Sequence, residues 1–219
     1  EKEKLNAELQ LLKAQVRPDF LFKTLNNIYT HALSSSPRTT GMLLTLSDLL
    51  SYMLYECDRP LVPLQREIDM MKEYMQLEKT RHNDTPEIQV SIRGDLEGKS
   101  IAPFLLLPFI ENSFKHCGQM TEPFWMNMDI RMEGNEFSMK LANGISENLY
   151  DPETATSGLG NVQKRLSLLY PGNHELRVTT EQEMFIVFLN IRLNEDAATA
   201  IDREEWNAPI TRNETATHH

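Results

Sequence analysis

Cysteine, long apolar runs and basic charge are scarce in this chain of 219 residues, and each shortage removes a class of protein. The two cysteines, Cys57 and Cys117, stand far apart with no CxxC spacing, which argues against a disulfide framework and a zinc site and fits a reducing compartment. Lysine and arginine number 22 against 32 acidic residues, giving a formal net charge of -10 and a pI near 5.1. Long-range repulsion then opposes nucleic acid and anionic membrane surfaces as bulk partners, and leaves only a local basic pocket for an anion. The longest apolar run, IAPFLLLPFI, is ten residues with two prolines in it, well short of the ~20 a membrane helix needs. No signal-peptide pattern is present, and EKEKLNAELQLLKAQV opens in mid-helix without methionine or cap, so we expect the downstream part of something longer.

What is there is ordinary globular composition, 40% hydrophobic and 25% charged, with room for one or two domains. Leu5, Leu9, Leu12 and Val16 recur at the a/d spacing of a coiled coil. Pro18 predicts a kink, after which Leu21, Leu25, Ile28 and Ala32 continue the helical stripe up to a turn at SSSPRT. A second helix carries Leu43, Leu46, Leu49 or Leu50, Met53 and Leu54 and stops before DRPLVP. Such a hairpin buries its stripe most easily in a dimeric four-helix bundle, which predicts a homodimer. From residue 63 the pattern changes to a long amphipathic helix, a strand at EIQVSIR, an apolar helix at FLLLPFIENSFKH, a hairpin across EGN, a glycine-, serine- and threonine-containing loop, a helix at GNVQKRLSLLY and two last strands. That order predicts a two-layer α/β sandwich, hence an α+β fold in which residues 1–62 dimerise, 63–193 form the sandwich and 194–219 are a polar tail anchored at most through Trp206.

Two stretches can carry chemistry. LLPFIENSFKHCG places Asn112, Lys115 and His116 at three- and four-residue helical spacing with Glu111 alongside. A carboxamide oxygen can ligate a hard cation, an ammonium and an imidazole can neutralise phosphate, and a carboxylate can polarise an attacking group. A solvated polar helix end would look the same. In TSGLGNVQKRL, Gly158 and Gly160 let the backbone approach a ligand, and the following helix aims unpaired N–H groups at it. A plain loop feeding a helix is the alternative there.

Taken in order, QVRPDFLFKTLN, YMQLEKTR, ENSFKH and GLGNVQKRL resemble the transmitter core of sensor histidine kinases of the LytS-like group, over essentially residues 8–193. The resemblance implies a dimerisation hairpin followed by a GHKL-type ATP-binding domain that uses ATP and Mg2+. It implies a response regulator as partner and a full-length protein in the inner or plasma membrane of a bacterium, with this fragment cytoplasmic and membrane-linked only through an upstream segment. By the same resemblance Asn112 holds magnesium, Glu111 assists, Lys115 and His116 face the phosphates, and Gly158 and Gly160 lie along the ATP lid.

The chain departs from the family pattern at several positions. Asp19 stands where the phosphoacceptor histidine belongs and Lys23 where the motif has asparagine. The family's Asp-x-Gly-x-Gly stretch is here LANGIS, which puts Asn143 at the adenine-contacting position: its oxygen can accept from the adenine amino group but brings no charge. Thr156 occupies a frequent lid-glycine position. Helical spacing sets Asp19 on a polar stripe with Lys23, Asn26 and Thr30, where an acid-base pair contributes ~0.3 kcal/mol to the helix. His31 and His82 read as incidental surface residues, and Met70, Met71 and Met75 as core. Three functions follow: a transmitter that binds nucleotide but has lost its acceptor, an active kinase phosphorylating a histidine on a partner subunit or even Asp19, and a nucleotide-free dimerisation scaffold.

Overall fold

A computed structural model describes residues 18–56, 59–82, 86–115, 124–145, 159–181 and 183–193, with side chains from Phe20 onward. The coiled-coil seam at Leu5 to Val16, the polar tail with Trp206, and both cysteines lie outside the described residues. Two helices, α1 (Pro18–Leu33) and α2 (Arg38–Ser51), form the hairpin, and α2 runs into a π-helical turn at Tyr52–Glu56. A short strand β1 (Val62–Pro63) leads to the long α3 (Leu64–Arg81). Then come β2 (Glu87–Arg93), β3 (Ser100–Ile101), α4 (Leu107–Lys115), β4 (Trp125–Glu133), β5 (Glu136–Gly144), α5 (Gly160–Leu169), β6 (His174–Glu181) and β7 (Met184–Arg192).

The strands form a mixed sheet of order β2-β4-β5-β7-β6, with β2 parallel to β4 and the other neighbours antiparallel. Alternation decides its faces. Met126, Met128 and Ile130 on β4, Phe137, Met139 and Leu141 on β5, and Val187, Leu189 and Ile191 on β7 are buried in the core shared with the helices. Asn127, Arg131, Lys140 and Phe188 alternate with them and are exposed. The α+β expectation holds as a two-layer sandwich. Met70, Met71 and Met75 are buried in it, as their spacing predicted, and a fully buried side chain of that size contributes about 1.5–3 kcal/mol. The EGN hairpin is present, and its turn takes Gly134 to φ +60°, a conformation costly for any side chain. No helix among the described residues is long and apolar enough to cross a membrane.

The hairpin stripes differ from the expected ones. Within one chain the inward face of α1 is Phe20, Thr24 and Ile28, and that of α2 is Met42, Leu46 and Leu49, followed by Tyr52 and Met53. Leu25, Leu43 and Leu54 are exposed instead. The reason is that α1 and α2 pack on α3, which rotates the buried stripe toward Phe20 and Met42, while a second apolar face stays uncovered. FLLLPFIENSFKH is also not helical from its start. The helix begins at Leu107, because residues 103–106 form a turn and bend in which Phe104 adopts φ +54°.

Candidate functional site

The helix α4 packs on the inner face of the sheet, and its last two turns carry Glu111 to Lys115. Phe109, Ile110, Ser113 and Phe114 are buried, Glu111 is half-buried and Lys115 is exposed in the last turn. Asn112 is 2% exposed, and its Oδ1 is a buried oxygen with no protein partner. Leaving such an oxygen unsatisfied costs about 1–3 kcal/mol, which a ligand could recover.

Asn143 comes from β5, directly opposite Met126 of β4 and Phe185 of β7, and is 1% exposed. Ser113 of α4 donates to its Oδ1 at 2.9 Å, and its Nδ2 donates to the Gly144 carbonyl at 2.9 Å. The structure therefore ties Ser113, the neighbour of Asn112 on α4, to Asn143, thirty positions further along the chain. The Asn143 oxygen keeps a second lone pair for an amino donor. Gly160 opens α5, whose N-cap, Leu159, offers no side-chain hydrogen bond, so the first N–H groups there carry no side-chain cap. His116 and Gly158 lie outside the described residues, as does Thr156.

Asp19 lies in the first turn of α1, its side chain outside what is described; Lys23, Asn26 and Thr30 are exposed, as the polar stripe predicted. Lys23 lies near enough to Glu78 of α3 to favour its charged form. Phe20, next to Asp19, stacks on Tyr74 of α3 with centroids 4.6 Å apart, and Tyr74 meets the edge of Phe114 on α4 at 6.4 Å. The helix that carries Asp19 and helix α4 are thus joined through one aromatic contact chain. Glu78 accepts from Tyr74 Oη at 3.3 Å and from Arg81, and burial, outweighing these partners, raises its pKa. His82 is not the exposed loop residue expected: it is half-buried, stacks over Phe114 at 6.4 Å, and burial beside Arg81 lowers its pKa.

A second polar group, which the sequence motifs do not include, lies at the loop that feeds α4. Glu67 of α3 is fully buried and accepts from Tyr52 Oη, from the Phe104 amide at 3.0 Å and from the Leu106 amide at 3.1 Å. Arg165 of α5 donates to the Phe104 and Pro103 carbonyls at 2.9 and 2.6 Å, and the Ala102 amide donates to Tyr170 Oη at 2.8 Å. A phenylalanine at φ +54° costs about 1–2 kcal/mol, and these five bonds to backbone groups hold it. The usable signal was an acid at position 67 on the apolar stripe of Leu64, Ile68 and Met71.

Comparison with known proteins bears on the whole arrangement. A histidine kinase family profile matches residues 7–86. Sensor histidine kinase BtsS of Escherichia coli K12 is 29% identical over 184 residues, which cover 82% of this chain and 32% of that protein. Sensor protein LytS of Bacillus subtilis is 33% identical over 112 residues, covering 51% of this chain and 19% of that protein. The chain spans about a third or less of these curated relatives. Among solved structures, histidine kinase AdeS of Acinetobacter baumannii superposes with a TM-score of 0.42 at 16% identity, covering 88% of this chain and 94% of that one.

Proposed function

Because the chain belongs to the LytS-like sensor histidine kinases, we propose that it is a two-component transmitter core that dimerises through its hairpin, binds magnesium–ATP and accepts no phosphoryl group at Asp19. The observation that carries the nucleotide part is the buried, unpartnered Asn112 Oδ1 at the polar end of α4. A carboxamide oxygen suits a hard cation that keeps most of its waters. Lys115 on the same helix would balance phosphate charge, Glu111 would polarise the acceptor's attacking atom, and the first N–H groups of α5 would meet the phosphates. Asn143 would offer its free lone pair to the base. ATP would supply the transferable phosphoryl group.

The hairpin supports association with a second copy. Phe22 is 68% and Tyr55 72% exposed, and Leu25, Tyr29, Leu33, Leu43, Leu44 and Leu54 extend the same apolar exposure over α1, α2 and the π-helical turn. Two helices with an uncovered apolar face complete a four-helix bundle by pairing. The response regulator partner and the membrane-borne, cytoplasm-facing placement of the full-length protein follow from the family alone.

Asp19 is a poor acceptor on chemical grounds. A carboxylate attacks phosphorus in sites that surround it with a metal and cations. Here Lys23, one helical turn along α1 from Asp19, is shared with Glu78. The test is a thermal melt with and without magnesium–ATP. Binding stabilises the fold by ~2.7 kcal/mol at a hundredfold excess over the dissociation constant, and the rise should disappear in Asn112→Ala. An unmoved melting temperature at millimolar nucleotide would remove the reading.

A further inference from the structure

Glu67 joins the hairpin exit turn to the loop that feeds α4. Its partner Tyr52 opens the π-helical turn at the hairpin exit, and its two amide donors, Phe104 and Leu106, lie in the loop that feeds α4. Arg165, on the helix after the glycine loop, grips the carbonyls of the same loop and lies close enough to favour a charged Glu67. Tyr52 is itself fixed from three sides. Its ring meets Phe104 edge-on at 5.2 Å and lies under the Arg66 guanidinium at 5.4 Å, while Arg66 also holds Glu56, the last residue of the turn, at 3.1 Å.

We infer that Glu67 is a positioning residue that couples the hairpin exit turn, Tyr52–Glu56, to both walls of the proposed nucleotide site, α4 and α5. The inference rests on the nucleotide reading of that site. A π-helical turn differs from an α-helical one by a single extra residue in the hydrogen-bonded ring, so re-winding it moves Tyr52 by a fraction of a turn. The Tyr52 hydroxyl cannot leave Glu67 without stripping the carboxylate of one donor, and the carboxylate cannot shift without disturbing the amides of 104 and 106. Asn112 stands on the second turn of the helix that this loop starts. The connection therefore runs in both directions, as linkage requires: a ligand that fixes α4 must also bias the exit turn.

Amide hydrogen exchange on the full chain reads this directly, with magnesium–ATP as the probe. In the unmodified protein, nucleotide should slow exchange in residues 107–115 and, by about fivefold or more, in residues 52–56. Tyr52→Phe keeps the ring and loses the hydroxyl. It should retain the slowing at 107–115 and lose it at 52–56. Tyr170→Phe is the control, since it removes a bond to the same loop without touching the hairpin, and it should keep both responses. Slowing at 107–115 with no response at 52–56 in the unmodified chain overturns the coupling and leaves the nucleotide reading intact, as does a Tyr52→Phe chain that responds like the unmodified one. Where nucleotide protects neither segment the nucleotide reading fails, and the coupling is read without ligand: Tyr52→Phe must then speed exchange of the Phe104 and Leu106 amides more than that of β5, and equal acceleration everywhere overturns it.

Discussion

Replacing Glu67 by glutamine isolates what the buried carboxylate does. The side chain keeps its shape and one oxygen, which can go on accepting from two of the three donors, Tyr52 Oη and the amides of Phe104 and Leu106. The new NH2 then faces the third donor, and one buried N–H is stranded at a cost of about 1–3 kcal/mol. Loss of the charge opposite Arg165 adds little, because desolvation outweighs every partner and raises the Glu67 pKa, so the charge is not a net source of stability. Urea denaturation of Glu67→Gln should therefore show a lower midpoint at unchanged slope, by about 1–3 kcal/mol out of a total on the order of 5–15 kcal/mol. The pH dependence carries a sign. With its pKa raised in the fold, native Glu67 binds more protons than unfolded Glu67 above the ordinary carboxylate value, so its stabilising contribution is full below that value and is lost as pH rises toward the folded one. The glutamine chain lacks this slope, so the stability gap should narrow as pH rises above the ordinary carboxylate range. A gap below about 0.5 kcal/mol, or one that widens with pH, refutes the account of the loop.

Asn143→Asp should split two properties: the new carboxylate would face the Gly144 carbonyl that Nδ2 now binds and lower the melting temperature, yet nucleotide should bind more tightly because a charged acceptor meets the base amino group. Calorimetry together with melting checks both signs. Leu25→Glu with Tyr29→Glu places charge on the uncovered hairpin face and should turn a sedimenting dimer into monomer, with little loss of stability in each chain because both positions are exposed. Asp19→His with Lys23→Asn should take up label from ATP where the unmodified chain takes up none; a hydroxylamine-sensitive label on the unmodified chain, lost in Asp19→Asn, would show an acyl phosphate and reverse that expectation.

The strands and the sandwich were legible because alternation in EIQVSIR and FWMNMDIRM is a local property, and one buried face suffices to set the register. The pairing of the hairpin stripes was less so. Sequence shows that Leu43 and Leu46 are both apolar, but only the packing of α2 on α3 decides that Leu46 turns inward and Leu43 outward. The start of α4 could not be read from FLLLPF, since a carboxylate 37 residues upstream of Phe104 holds that loop. At the site, the ENSFKH spacing put Glu111, Asn112 and Lys115 on one short helix, as they are, while His116 lies outside the described residues. Spacing could not foresee Ser113 bridging to Asn143, because that bond depends on which sheet residue lies beneath the helix.

The central claim is a magnesium-nucleotide site organised around Asn112, and titration calorimetry of the full chain with ATP, with and without magnesium, tests it most directly. The account predicts saturable binding that needs magnesium and weakens by about tenfold or more in Asn112→Ala, a loss of ~1.4 kcal/mol. Absence of binding at millimolar magnesium–ATP, or an affinity that Asn112→Ala leaves unchanged, would contradict it.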